Sequence, residues 1–179
     1  MNSKNLLSNQ EIIRDTVFNF PGLRFHEIKT ETGIANGTLQ HHIGSLLKVN
    51  AIVAKYDRSI PRYYSTEIND KDKIIIRRLS QNTTSKIITA LLLDECQTFS
   101  QLVKYAKKSP GTVSIYKNML LDDKIIMGDT NECECTKESA KIKYRLVDPG
   151  QVSMLVEEYG KLSLKKSVDN LADVFLSLK

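Results

Sequence analysis

The chain of 179 residues lacks the long apolar stretches of a membrane protein. Its longest apolar runs, 74–76 and 87–93, are closed by Arg77 or interrupted by Thr89, whereas a bilayer span needs about 20 apolar residues. Residues 1–10 contain one lysine and no sustained apolar stretch, so they lack the pattern of a secretory signal. We therefore expect no membrane partner and a cytoplasmic location.

The chain has few cysteines, and their number is odd. Three cysteines argue against a disulfide framework and suit a reducing compartment. Cys133 and Cys135 are one residue apart, and such thiolates can share a soft metal ion. A closed zinc site needs four ligands, and this region adds only Cys96 and no histidine. The favoured interpretation is an ordinary loop without metal or cofactor, and a redox or metal role stays open.

Catalytic signatures are also missing. We find no Ser/His/Asp order, no phosphate-cradling glycine loop and no paired carboxylates in a catalytic setting, so we expect no enzyme activity. What the chain does contain is 41% hydrophobic and 26% charged residues, proportions typical of a folded globular protein. The formal net charge of +5 favours an anionic partner such as nucleic acid.

Apolar residues at helical spacing, followed by two β-prone runs, dominate the first third of the chain. The third predicted helix carries Leu39, His42, Ile43 and Leu46 on one face and leaves a polar face opposite. The predicted elements are helices ending before Pro21, over 25–32 and over 38–48, and hairpin strands over 52–56 and 62–65 with a loop over 57–61. Three helices followed by a hairpin indicate a winged helix.

The same order recurs after a charged stretch. Ser109-Pro110 is a strong helix start, because serine caps the first turn and proline lacks the amide hydrogen that would be unsatisfied there. The predicted elements are a connector helix over 70–80, helices over 85–94, over 98–107 and from 110, and strands over 125–127 and 141–146. The architecture therefore occurs twice.

A final helical region is predicted from Asp148-Pro149 to Leu178. At 1.5 Å per residue it would reach roughly 40 Å, longer than a small domain can cover, so we expect it to meet a second copy of the chain. The apolar positions assigned to dimerisation are Val152, Leu155, Val156, Tyr159, Val168, Leu171, Phe175 and Leu178.

These patterns predict a mainly α fold with small β-hairpin wings (α+β). It consists of two tandem winged helix-turn-helix domains plus a C-terminal helical dimerisation region. The predicted boundaries are 1–69 for the first domain, 70–82 for the connector helix, 83–148 for the second domain and 149–179 for the C-terminal region.

The segment PGLRFHEIKTETGIANGTLQHHIGSLLK, residues 21–48, resembles winged helix-turn-helix regulators of the broad MarR and ArsR type, especially archaeal ones. SPGTVS, residues 109–114, is similar to the same family's turn and recognition helix. The resemblance implies a DNA-binding transcription regulator. Asn50 replaces a usual glycine, which asparagine tolerates because it visits left-handed conformations. Lys117 stands at a usually apolar position and Ile115 at an often basic one, which argues against ordinary DNA reading by the second helix.

Candidate DNA-binding residues follow from the polar face of the third helix and from the wing. Gln40 suits bidentate pairing with adenine, Ser45 or Lys48 suits a phosphate, and wing arginines suit the backbone or minor groove. His42 is expected to be a partly buried structural residue. The candidates in the first domain are Asn36, Thr38, Gln40, His41, Ser45, Lys48, Arg58 and Arg62.

In the second domain the candidates suit phosphate contacts. They are Lys107, Lys108, Ser109, Thr112 and Ser114. The acidic second wing would be repelled by a duplex, and Ile115 with Met119 suggests a surface for protein. We therefore predict that the first domain reads sequence and the second mainly positions or dimerises.

Two functions stay open. The first is a homodimeric transcription regulator that binds double-stranded DNA, with any small-molecule effector unknown. The alternative is a tandem winged-helix assembly module of a transcription or chromosome-organising complex. Residues 8–66 hold seven cations and five anions, and the difference of +2 is modest enough to keep the alternative open.

Overall fold

The computed structural model describes residues 8–129 and 142–163, with side chains over 8–128 and 142–159. The chain divides into two compact units, Met1–Lys73 and Ile74–Lys179. Within the described ranges it combines α-helices with small three-stranded antiparallel sheets, an arrangement consistent with winged helix-turn-helix architecture. No helix in these ranges is long and apolar enough to cross a bilayer.

The first unit has three helices and a three-stranded sheet. Its elements are α1 (Asn9–Asn19), β1 (Leu23–Arg24), α2 (Phe25–Thr32), α3 (Asn36–Lys48), β2 (Ile52–Asp57) and β3 (Ile60–Ser65). The sheet order is β1-β3-β2, with all pairs antiparallel. A capping box starts α1: the Ser8 hydroxyl accepts from the Glu11 amide, and the Glu11 carboxylate accepts from the Ser8 amide at 2.7 Å. These hydrogen bonds lower the pKa of Glu11.

The core of the first unit confirms the predicted inner face of the third helix. Leu39, Ile43 and Leu46 of α3 are buried at i, i+4 and i+7, against Ile13 and Val17 of α1. His42 is half-buried at the edge of this stripe, as expected for a structural residue. Because one side of α3 is held in the core, the opposite side faces outward.

The hairpin is tighter than the sequence predicted. Its strands continue to Asp57 and from Ile60, so a two-residue turn replaces the expected loop over 57–61. Pro61, placed in the predicted loop, is part of β3. Proline is tolerated there because β1 pairs with β3 only at Tyr63 and Arg62, so the residue before them has no strand on that side.

The junction between α3 and β2 confirms the interpretation of Asn50. Its φ is 53°, in the left-handed region, and the next amide, that of Ala51, donates to the carbonyl of Leu46 at 2.9 Å. Lys124 in the second unit has φ 56°, and the following amide donates to Leu120 at 3.0 Å. The two units therefore leave this helix through the same backbone geometry.

The second unit repeats the order of elements seen in the first. The elements that follow the first unit's sheet are α4 (Asp70–Leu79), α5 (Asn82–Leu93), β4 (Gln97–Thr98), α6 (Phe99–Ala106), α7 (Pro110–Asp122), β5 (Ile126–Asp129), β6 (Lys143–Leu146) and α8 (Pro149–Ser163). The unit boundary falls inside α4. The sheet order β4-β6-β5 matches the first sheet. The predicted start of α7 is confirmed: the Ser109 hydroxyl accepts from the Thr112 amide at 3.3 Å, with Pro110 in the first turn.

The first part of α8 corrects the predicted dimerisation surface. Val152, Leu155 and Val156 are buried within their own chain, with Val152 and Val156 in the core of the second unit. They therefore do not offer a surface to a second copy. Helical periodicity shows that a face is apolar without showing what covers it. Tyr159 is half-buried, and the remaining predicted positions, Val168, Leu171, Phe175 and Leu178, lie outside the described residues.

The cysteines also depart from expectation. Cys96 is disulfide-bonded, although the odd count argued against disulfides. An odd number leaves at least one thiol over but does not prevent a single bond. Cys133 and Cys135 lie outside the described residues. In the part of the chain that the structure covers, no group of three or more His, Cys, Asp or Glu residues could hold a metal ion.

A half-buried carboxylate ties the last turn of α4 to the end of α7. Asp123 lies 3.4 Å from the Arg77 guanidinium and is closely paired with Nε of Arg78. The Arg78 and Asp123 side chains are only 7% and 17% exposed. The Thr84 hydroxyl donates to the carbonyl of Arg78, so the start of α5 joins the same cluster.

Candidate nucleic-acid interface

Helices α2 and α3 form a helix-turn-helix with a three-residue turn. Gly33 ends α2 in the left-handed conformation, φ 69°, and its amide donates to the Lys29 carbonyl at 2.8 Å. Ile34 is buried and anchors the turn, and Ala35 then begins α3 in an extended conformation. This turn fixes which side of α3 faces outward.

The outward side of α3 brings the predicted polar residues together. Five of them are exposed: Asn36, Thr38, Gln40, His41 and Lys48. The sixth, Ser45, is half-buried, and its hydroxyl donates to the His41 carbonyl at 3.1 Å. The ring of His41 meets that of His42 edge-on, with centroids 5.4 Å apart. The exposed set therefore lies on one helix, opposite its core-facing stripe.

Two glycines lie on this outward side, Gly37 in the first turn of the helix and the half-buried Gly44 in its middle. Gly37, His41, Gly44 and Lys48 follow one another at i, i+4, i+7 and i+11, which makes a row along the helix. A Cβ added at Gly37 or Gly44 would meet no atom within 4 Å. Glycine destabilises a helix interior by about 1 kcal/mol relative to alanine. Packing among the described residues therefore does not require glycine at either position.

The first turn of α3 has no side-chain cap. Its N-cap residue is Ala35, whose side chain cannot accept a hydrogen bond, whereas the matching position of α7 is Ser109, which caps its own helix. Uncapped amides and the helix dipole favour an anion at such an end. The two helices therefore differ at the end where a phosphate would approach.

The tip of the wing is exposed and carries a strained arginine. Arg58 has φ 58°, in the left-handed region that glycine adopts more readily than arginine. Tyr56 and Ile60 on either side of the turn are also exposed, Tyr56 by 69%. An arginine kept where glycine fits better indicates a use for its side chain.

Arg62 is not at the wing tip, which corrects its assignment as a DNA contact. The residue is only 4% exposed, its Nη1 donates to the Gly22 carbonyl at 2.8 Å, and its Nε lies 3.4 Å from the Asp57 carboxylate. It sits in the central strand of the sheet, where the Asp57 carboxylate lies beside its charge. Its side chain therefore holds the hairpin in place and is not presented to a partner.

A second cation of the wing is also engaged within the unit. Lys55 of β2 contacts Asp70 of α4 at 3.0 Å, and Lys73 contacts the same carboxylate at 3.1 Å. These hydrogen bonds lower the pKa of Asp70. At the wing of the first unit, Arg58 is thus the better placed cation for an external anion.

The second unit brings only part of its predicted set to the surface. Lys107, Lys108 and Ser109 are exposed in the turn before α7. Ser109 and Thr112, however, bond to one another through their hydroxyls at 2.8 Å as part of the cap. Ser114 is half-buried. At the position where the related helix is often basic, Ile115 is 63% exposed.

Comparison with known families finds a match, which covers the first unit. Residues 8–76 match a family model described as an N-terminal HTH (helix-turn-helix) domain. The match runs from the cap of α1 through the wing into α4. It supports a helix-turn-helix DNA-binding protein. The comparison with curated proteins finds no match to the chain.

Proposed function

We propose that the chain is a sequence-specific regulator of transcription that binds double-stranded DNA as a homodimer and has no catalytic activity of its own. Helix α3 enters the major groove, and Arg58 contacts the backbone or minor groove. The observation that carries the proposal is the outward side of α3, where polar side chains surround two glycines that the chain's own packing does not require.

The chemistry of α3 suits a duplex. The major groove admits one helix whose polar side chains reach base edges, and the amide of Gln40 matches the donor and acceptor of adenine. Lys48 at one end and the uncapped amides at the other suit phosphates, which position a protein without specifying sequence. Gly37 and Gly44 let the helix backbone approach the groove more closely than any other residue would.

The glycine at position 44 provides a test with two effects of opposite sign. Gly44→Ala is expected to stabilise the protein by about 0.5–1 kcal/mol, because alanine has the higher helix propensity. The same methyl group is expected to weaken DNA binding, because it adds bulk at the contact. Urea unfolding and fluorescence anisotropy on a labelled duplex measure the two effects.

Gly150→Ala is the control for this variant. Gly150 lies in the first turn of α8, away from the predicted DNA contacts, and a Cβ there would meet the Asp148 carboxylate at an ordinary 3.6 Å. DNA affinity should remain unchanged in this variant. Unchanged or tighter binding by Gly44→Ala would contradict close approach of α3 to the duplex.

The wing gives a second prediction of this kind. Arg58→Gly should stabilise the turn by about 1 kcal/mol, because glycine accepts positive φ without strain. It should also weaken DNA binding and reduce the slope of log K against log salt by about one. Arg58→Lys retains the cation and the strain, so its slope should match the unchanged protein. An unaltered slope in Arg58→Gly would remove the wing from the interface.

The proposed arrangement is a tandem of two winged helix-turn-helix domains in each chain, supported by the repeated order of elements and the matching sheets. A two-fold symmetric dimer would present two copies of α3 to half-sites about one helical turn of DNA apart, or a multiple of it. The second domain mainly positions or dimerises, which the exposed Ile115 favours over base reading.

Anisotropy titrations on the promoter of the chain's own gene, with a scrambled duplex of equal length, test the proposal. Both titrations are done at two salt concentrations. We expect tighter binding to the promoter and a steep loss of affinity with salt, because neutralised phosphates release counterions. Absence of binding at low salt would reject the regulator and favour the assembly module, for which Ile115 is the first surface to examine.

A further inference from the structure

A lysine occupies the inner side of α7. Lys117 lies four residues after Val113 and three before Leu120, both fully buried, so it shares their stripe on the helix. Its ammonium is 3.3 Å from the hydroxyl of Tyr144 and 5.0 Å from the centre of that ring. The ring of Phe99 lies 5.9 Å away on another side. The cation is therefore held between two aromatic faces.

No carboxylate of the described residues lies within ion-pair distance of Lys117. A cation turned toward the interior of its unit without a counter-charge is unfavourable, since charges of partly buried groups are usually paired. An apolar residue at this position would continue the stripe of α7 without that penalty. Among the described residues, Lys117 therefore has aromatic and hydroxyl neighbours but no carboxylate, and its ammonium suits an anionic ligand.

A cavity of about 400 Å³ opens beside this ammonium. Lys117 and the hydroxyl residues Ser100 and Ser114 give it a polar side, and Phe99, Tyr144 and Ile142 give it an apolar side. The volume falls within the range of pockets that hold small organic ligands, about 300–1,000 Å³. Polar groups converge at one side of an otherwise apolar lining, as in sites that orient a small amphipathic molecule.

Gly128 lies beside two residues that line this cavity, Ile142 and Tyr144. A Cβ added there would lie 3.2 Å from the Tyr144 ring and 3.2 Å from the Ile142 side chain, closer than ordinary contact. The missing side chain thus lets the Tyr144 ring lie against the backbone of β5, where its hydroxyl meets Lys117. Gly128 of β5 and Lys117 of α7 therefore both contact Tyr144 of β6.

We propose that this cavity binds a small organic carboxylate with an apolar body. The carboxylate meets the Lys117 ammonium, with the Tyr144 and serine hydroxyls as further donors. The apolar body lies against Phe99 and Ile142. Inorganic anions fill only the polar side, and neutral molecules leave Lys117 without its counter-charge. The site lies wholly within the second unit and is independent of how α3 binds DNA.

Isothermal titration of the full chain with benzoate and with hexanoate tests the proposal. Molecules of about nine non-hydrogen atoms reach affinities near 1 mM, so saturation is expected by about 10 mM. We expect benzamide and inorganic phosphate each to bind at least about tenfold more weakly than benzoate. Benzamide has the apolar ring without the negative charge, and phosphate has the charge without an apolar body.

Lys117→Met separates binding from folding. Methionine fits the apolar stripe of α7, so the variant should fold, as checked by circular dichroism and the thermal midpoint, while its affinity for benzoate falls at least about tenfold. Lys104→Met, at an exposed lysine of α6, is the matched control and should bind benzoate like the unchanged chain. The proposal is overturned if neither carboxylate saturates the protein, if phosphate binds as well as benzoate, or if Lys117→Met retains full affinity.

Discussion

A chain in which Gln40 and His41 are both replaced by alanine is expected to bind duplex DNA but to lose its preference for the promoter sequence. Both side chains are exposed, so the fold should persist. A well-aligned contact to a base edge contributes about 1–3 kcal/mol of discrimination, so promoter preference should fall roughly 10- to 100-fold. The dissociation constants for promoter and scrambled duplexes, measured at one salt concentration, give this ratio directly.

Lys48→Ala is the control that separates a loss of sequence preference from a general loss of DNA affinity. A phosphate contact carries no sequence information, so loss of Lys48 should weaken binding to both duplexes by a similar factor. Alanine is compatible with the end of α3, so the variant changes charge and little else. If the double variant keeps its promoter preference, α3 is not the element that reads sequence.

Local chemistry made the helices of the first unit predictable. The second helix was predicted to end at residue 32, and it does end there, because Gly33 closes it in the left-handed conformation. The spacing of Leu39, Ile43 and Leu46 predicted the buried side of α3. Asn50 was likewise interpreted correctly as a left-handed residue before the wing. Each of these signals depends on residues close together in the chain.

Features that depend on distant partners were not predictable. Arg62 was assigned to DNA because it follows the wing turn, but its guanidinium bonds to the Gly22 carbonyl, 40 residues earlier. The short strands β1 and β4 are two residues long, so they have no periodicity to detect, and they exist because β3 and β6 are there to pair with them. Val152 is buried because residues distant in sequence complete the core of the second unit around it.

The candidate site was predictable in composition but not in shape. A polar face and its residues can be identified from helical spacing. Whether Gly44 packs against another side chain or faces outward requires coordinates. Lys117 shows the same limit, because its position was recognised as unusual while the aromatic rings around it come from α6 and β6.

Replacing Asp123 by alanine is expected to destabilise the second unit by roughly 3 kcal/mol, because it leaves the buried Arg78 guanidinium without its carboxylate. A domain is stable by only about 5–15 kcal/mol, so the loss should appear as a clearly lower midpoint of urea unfolding. Asp122→Ala is the matched control. The Asp122 carboxylate is exposed, so its loss should change the free energy of unfolding by less than about 0.5 kcal/mol.

Asp123→Asn distinguishes the charge of this group from its position. The amide keeps an oxygen that can accept from Arg78 but does not neutralise the guanidinium, so the variant should fall between Asp122→Ala and Asp123→Ala in midpoint. Equal midpoints for Asp122→Ala and Asp123→Ala would show that solvent screens the pair. In that case Thr84, whose hydroxyl bonds to the backbone of Arg78, would be the group that holds the end of α4 to the start of α5.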